Sequence, residues 1–390
     1  MATQARKTIG LNLDDWRELR PRGAYTLNST AAARRRQELL DSLPSYDNTA
    51  EISDSLIRHL NATSPSAFSK LKRLAGDNTT QRLVTKLYPA EADYDRVAAI
   101  LRSVQLQPQP IYGPSPKTPR IHARGRNVTG LPSPVRQDLT RRLRWVELDL
   151  AHAQLACNAR RWGVDRVLQV LDLGAYSFWD DLMQHLGAAP QELRQNGKYS
   201  EFKSYLKPSV HGLSFGMGRD RIRRFGTENQ QEPEGALVKM VEMACGVSFD
   251  EAGKRLLTHP VLEPMLNARY RQTARIKKRG GHRDVLGRYH VLNDGTNPAS
   301  LLAIDAQAME FVLLEPVIRL AANEREDARS KGRQPLFSLM FWQHDGFTVK
   351  ARQRNRTRSL IRRLESVVNA RAETLGVPTG LTVEIGPDDW

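Results

Sequence analysis

In PLFSLMFWQHDGFTVKA, residues 335–351, two apolar runs with the residue types of strands flank His344-Asp345-Gly346, so this stretch must fold as a hairpin. An aspartate directly before glycine is most often a turn former, which accounts for Asp345 taken alone. A second strand-like run, RWVELDL at 144–150, stops on Asp149 with no turn to explain it. An acid buried without a partner is costly, so Asp149 must be solvated, paired or bound to a cation.

Around these strands the chain reads as helical. The stretch from 48 to 104 repeats apolar residues at three and four, as short helices do, and AHAQLACNARRWG reads as a helix closed by Gly163. Residues 166 to 278 are mainly helical in pattern, and KKRGGHRDVLGRYHVL reads as a glycine turn followed by one short strand. NPASLLAIDAQAMEFVLLEPVIRLAANERE reads as a long amphipathic helix, RNRTRSLIRRLESVVNARAETLG as another helix, and LTVEIG as a last strand. The proline-rich QLQPQPIYGPSPKTPR cannot hold a regular helix or a central strand and marks a boundary. Residues 1 to 45 are polar and basic, with one helix in STAAARRRQELLDSL capped by Ser29 or Thr30. The fold class is therefore α+β, in a chain of 390 residues whose 40% apolar content can build a core.

The charge balance, 59 Lys and Arg against 43 Asp and Glu for a net +16, points to a polyanionic partner, most commonly nucleic acid. Cys157 and Cys245 stand far apart with no CxxC, which argues against zinc and disulfides and for a reducing compartment. The N-terminus has no apolar core of signal-peptide length, and no stretch of about 18 apolar residues occurs, so secretion and membrane spanning are not expected.

EFKSYLKPSVHGLSFGMGRD supplies a third element. Lys203, Lys207, His211 and Phe215 recur every fourth residue, so on a helix they stack along one face. Two cations, an imidazole and a ring suit a nucleoside triphosphate, with the cations on phosphate and the flat groups on sugar and base. The competing reading is an ordinary helix with a basic exposed end and an aromatic core end. Pro208 removes a helix hydrogen bond and places a kink or a helix start there.

In this order, the three elements resemble the polymerase domain of family A DNA polymerases, the polymerase I type, and more distantly the single-subunit phage-type RNA polymerases. The first motif is matched by Asp149-Leu-Ala-His-Ala-Gln154, with Gln154 at the place of a glutamate. The second is matched by Lys203, Lys207, His211 and Phe215-Gly216, and the third by His344-Asp345-Gly346, with Gly346 where the family has glutamate. AIDAQAMEF resembles a helix whose Gln307 meets the primer-template. RIHARGRNVTGLPSPVR resembles the primer-touching segment and gives Gly125-Arg126. The last strand and terminal tryptophan resemble the family's ending.

The resemblance implies a right-hand fold with an antiparallel-sheet palm, helical fingers and a small helical thumb. Its parts are an N-terminal extension at 1–47, a reduced thumb at 48–117, palm at 118–175, fingers at 176–290 and palm again at 291–390. It implies two magnesium ions, with manganese as a substitute, held by Asp149, Asp345 and the carbonyl of Leu150. Nucleotide binding falls to Lys203, Lys207, His211, Phe215, Gln154 and His152, and nucleic-acid binding to Arg126, Gln307 and His344. The implied activity is a monomeric, cytoplasmic DNA polymerase of a bacterial, plasmid or phage setting, without a proofreading domain. It would extend a primer on a DNA template with dNTPs. Two alternatives stay open: a primase or RNA polymerase that starts chains with NTPs on a single-stranded template, and an inactive relative that only binds nucleic acid among other replication proteins. The first division rests on Gln154 and Phe215, because Gln154 fills the space of a 2′-hydroxyl yet could also bond one.

Overall fold

Eight strands form three antiparallel sheets in the computed structural model, which describes residues 46–115, 120–172, 177–227, 235–293, 297–343 and 345–389. Among these residues the strands are β1 (Tyr112–Pro114), β2 (Ile121–Ala123), β3 (Val146–Leu150), β4 (Gly281–Arg283), β5 (Tyr289–Val291), β6 (Phe337–Trp342), β7 (Gly346–Ala351) and β8 (Leu381–Ile385). The expected N-terminal helix, His344 and the terminal tryptophan lie outside the described residues. The described chain divides into two compact units. A sheet unit holds residues up to 151, 307–374 and 380 onward, and a helical unit holds 152–306 and 375–379.

The sheet unit is built on a four-stranded sheet in the order β6-β7-β3-β8. β3 is central and alternates apolar with acidic residues, and its apolar positions Val146, Leu148 and Leu150 are all buried. Its register against β7 pairs Val146 with Val349 and Asp149 with Gly346. The ladder to β8 pairs Asp149 with Thr382 and carries an irregularity between Glu147 and Leu148. Trp145 and Phe341 meet edge to face at 5.2 Å between centroids, and Phe68 packs against both. Around this aromatic nucleus the helices Ser69–Ala75, Glu91–Leu106 and Ser133–Leu143 bury Leu71, Val97, Val104, Val135 and Leu139. Each such side chain contributes roughly 1.5–3 kcal/mol.

The proline-rich segment does not mark a boundary: its described residues lie within this unit and are tied to the Tyr46–Asn61 helix by side-chain amides. Asn61 accepts from the Tyr112 N–H and donates to the Tyr112 carbonyl, and Gln109 donates to the Leu60 carbonyl. β1 and β2 form a separate two-stranded ribbon.

The helical unit is a set of short helices with conventional ends. Ser177 and Ser248 cap two of them, and Gly163 closes the Ala153–Trp162 helix in the left-handed conformation as expected. Three expectations need amendment. The segment at 281–291 is a hairpin of two three-residue strands, not one strand after a turn. The long helix, Pro298–Ser330, is not amphipathic over its first two thirds, because it is buried on most sides from Ala299 to Ile318. Of the kink or helix start expected at Pro208, the start does not occur, because the Tyr199–Ser214 helix runs through it. No helix among the described residues is long and apolar enough to cross a membrane.

Candidate active site

The sheet register brings the two sequence-predicted aspartates onto neighbouring strands. Asp149 is the fourth residue of β3 and sits opposite Gly346, while Asp345 immediately precedes Gly346 at the entrance to β7. The Leu150 N–H donates to the Asp345 carbonyl at 2.9 Å, and the Gln343 N–H to the Gly346 carbonyl at 2.9 Å, which closes the hairpin beneath the acid. Thr382 on β8 donates its hydroxyl to the Asp149 carbonyl. Asp149 is thus fixed from both flanking strands.

Gly346 has a steric reason. A Cβ there would stand 2.5 Å from the Leu148 carbonyl oxygen and 2.7 Å from the Asp149 carboxylate. The absence of a side chain at 346 therefore leaves the space that Asp149 occupies. Gly346→Ala is expected to displace the carboxylate and lower turnover on the order of 10²-fold, since misplacement by about 1 Å can cost that much. Steady-state kinetics beside a thermal melt checks this, because a fall in turnover without a matching loss of stability isolates the displacement.

Burial pushes the Asp149 carboxyl well above the ordinary carboxylate range, and the charges of Asp345, Glu384 and Glu310 push it in the same direction. Such a concentration of negative charge fits a cation. Among the described residues no group of three or more His, Cys, Asp or Glu is arranged to hold a metal. A divalent ion held here would take Asp149, Asp345 and the Leu150 carbonyl, with water and phosphate oxygens completing its shell, as hard oxygen-loving ions accept.

Sequence reasoning missed three supports. Glu310, on the long helix, is fully buried and ion-pairs through Oε2 with Arg120, itself buried at the foot of β2. Its Oε1 is buried and hydrogen-bonds to none of the described residues. Burial raises the Glu310 carboxyl to about 7, against the opposing pull of Arg120 and with a further push from Asp345. An acid within AMEFVLL, an apolar helical run, was the available signal. Second, the Tyr112 hydroxyl accepts from the Trp342 N–H at 2.9 Å and lies 3.3 Å from the Trp342 carbonyl, clasping β6 just before the Asp345 turn. Third, Glu147 joins Arg136 and Gln343, tying β3 to the same hairpin. Beside it, Ile121, His122, Ala123, Thr129, Trp342 and Gln343 line a cleft of about 220 Å³. Arg126 is exposed after Gly125, whose φ of 65° makes the turn, and Gln307 is half-buried.

The nucleotide-binding candidates lie in the helical unit. The Tyr199–Ser214 helix is anchored at its start, where the Tyr199 hydroxyl donates to Asp180, which also binds Arg194. It is anchored at its end by Asn158, which donates to the Ser214 hydroxyl at 2.8 Å, and by Arg269, which donates to the Leu213 carbonyl. Lys207, His211 and Phe215 are exposed along it and Lys203 is half-buried over the Trp179 ring. The aromatic end is therefore not a core end. Gly216 follows with φ of 84°, where a Cβ would strike Ala299.

Gln154 lies one helical turn before Asn158, so the Asn158–Ser214 bond sets Gln154 and Phe215 on packed helices. The Gln154 Oε1 is buried and hydrogen-bonds to none of the described residues. His152 precedes this helix in the left-handed conformation, φ 52°, with its ring edge-on to Phe178. Burial, and then the nearby Lys203 charge, hold its imidazole down to about 4.

The fold defines a class. It is a helix-rich chain with small antiparallel sheets, similar to a DNA polymerase domain. The similarity is to a solved structure titled as the POL domain of Pol1 from M. smegmatis in complex with DNA primer-template and dNTP. That match has a TM-score of 0.52 and 12% identity, and covers 90% of this chain and 68% of that one. Neither a family model nor a curated protein sequence matches the chain.

Proposed function

We propose that the chain is a template-directed polymerase that extends a primer 3′-hydroxyl with nucleoside triphosphates. The observation that carries this is the register that sets Asp149 and Asp345 on adjacent strands, with Gly346 clearing their space, in a fold similar to a polymerase domain bound to primer-template and dNTP. On this reading the four-stranded sheet is the palm and the helical unit supplies the fingers.

Asp149, Asp345 and the Leu150 carbonyl would hold divalent ions, magnesium by preference. Such ions would supply activation of the primer hydroxyl and neutralisation of the triphosphate leaving group. Lys203 and Lys207 bind the triphosphate and offset charge on the departing pyrophosphate, an electrostatic role that can carry much of the acceleration. Phe215 and His211 present flat faces to sugar or base. Arg126 and Gln307 bind the nucleic acid, and the net positive charge favours its backbone without sequence preference.

Filling of the 2′ position by Gln154 favours deoxynucleotides. A second reading has one specific support: the unpaired, buried Gln154 oxygen is an acceptor that a ribose 2′-hydroxyl could satisfy, which favours synthesis from NTPs. Primer-template and bare single strand, each supplied with dNTPs or NTPs, separate the two. Extension of primed DNA by dNTPs alone supports the first, and NTP products on the bare strand support the second. Gln154→Ala is expected to raise the NTP-to-dNTP incorporation ratio by roughly tenfold if bulk excludes the hydroxyl, and to lower it if the oxygen binds one. An unchanged ratio removes Gln154 from sugar selection.

A further inference from the structure

We infer that the sheet unit carries an accessory surface for duplex nucleic acid at the end of the central strand opposite the aspartates. Four exposed cations from three separate segments define it: Lys70 and Arg73 on the Ser69–Ala75 helix, Arg144 before β3, and Lys350 on β7. Five residues of extended chain separate Arg144 from Asp149, about 16 Å at strand rise, so the surface is distinct from the acidic end.

These cations sit where folding alone would not put them. Arg144 occupies the left-handed cap position, φ 57°, that closes the Ser133–Leu143 helix, a place glycine fills without strain. The Lys70 ammonium donates to the Arg142 carbonyl at 2.5 Å, which holds it close to Arg144, Arg73 and Lys350, all of the same sign, while Arg142 itself is paired with Asp77 and Asp138. The patch then runs on in sequence from Lys350. Residues 350–363 hold seven cations and no acid. The helix Thr357–Leu375 that begins there has no acidic residue in its first turn, where a helix N-terminus favours acids, and Arg358 stands there instead, paired with Asp388 at 2.5 Å. Strain, like-charge crowding and an opposed helix dipole are separate costs, and a phosphate backbone offsets the last two.

Duplex fits better than single strand. Proteins that hold single strands combine cations with exposed rings for stacking, and the rings near this surface, Trp145, Phe341 and Phe68, are buried. The surface needs no primer terminus, so it does not depend on the polymerase reading.

The test is salt-dependent binding of the full chain to a hairpin-capped DNA duplex that has no free 3′-end in its helix, followed by fluorescence anisotropy. The variant is Lys70→Gln/Arg73→Gln/Arg144→Gly/Lys350→Gln, in which Arg144→Gly relieves strain and guards the fold; a thermal melt confirms folding. We expect affinity to fall at least about tenfold, and the slope of log K against log salt to shrink by about 3.6, or about 0.9 for each of the four lost phosphate contacts. Unchanged affinity and slope in a folded variant would overturn the proposal. A loss seen only with unstructured single strands, or equal displacement of duplex by polyglutamate of matched charge, would also overturn it. If the variant loses duplex binding and the wild type extends no primer, the surface stands and the polymerase reading falls.

Discussion

Asp149→Asn and Asp345→Asn are each expected to lower nucleotide incorporation by about 10²–10³-fold, a cost of the size seen when a preorganised charge-stabilising group is removed from an active site. Binding of primer-template is expected to survive, because neither acid faces the nucleic-acid backbone with a favourable charge. The same change at Asp149 has an opposite effect on stability. Its carboxyl is held well above the ordinary range by burial, then by Asp345, Glu384 and Glu310. The folded chain therefore binds that proton more tightly than the unfolded chain, and stability falls as pH rises from the ordinary carboxylate range toward the raised value. In EDTA at neutral pH, Asp149→Asn is expected to melt a few degrees above the wild type, and the difference should vanish at acid pH where the wild-type acid is protonated. Magnesium is expected to stabilise the wild type and not the variant, since a ligand that binds only the folded state raises its stability with concentration. Melting curves across pH, with and without magnesium, check all three statements.

Glu310→Ala is the second large effect, and it acts on stability. It leaves the Arg120 guanidinium, 8% exposed, without the carboxylate that neutralises it. Breaking a buried pair from one side costs about 3–5 kcal/mol. Glu310→Gln, which keeps the shape and a hydrogen-bond acceptor, is expected to cost less. Equilibrium denaturation of the two variants gives the comparison, and equal costs would mean that the carboxylate charge is not what holds Arg120.

The parts of the site legible in the sequence were those set by local pattern. β3, the β6–β7 hairpin and the Tyr199–Ser214 helix follow from apolar periodicity and turn residues within short windows, and they carry Asp149, Asp345, Lys203 and Lys207. What was not legible depends on partners distant in the chain. Arg120 and Glu310 are 190 residues apart, and Tyr112 reaches Trp342 across 230. Nothing local marks either pairing. The β4–β5 ribbon was hidden because strands of three residues leave little alternation to read. The long helix misled for a related reason: its acids Asp305, Glu310 and Glu315 are residue types that normally face solvent, yet each is buried against a distant cation, Arg161, Arg120 or Arg371. Gly346 stands where the resemblance expects a glutamate, whereas the backbone shows it as the clearance that Asp149 requires.

The most direct measurement is addition of the single next nucleotide to a primed DNA template by the purified chain with magnesium, run beside Asp149→Asn. The expected result is a primer longer by one residue, only with the nucleotide complementary to the template, and no product from the variant. A wild type that adds nothing, or a variant that adds as much as the wild type, would contradict the assignment of Asp149 and Asp345 as the centre of a polymerase.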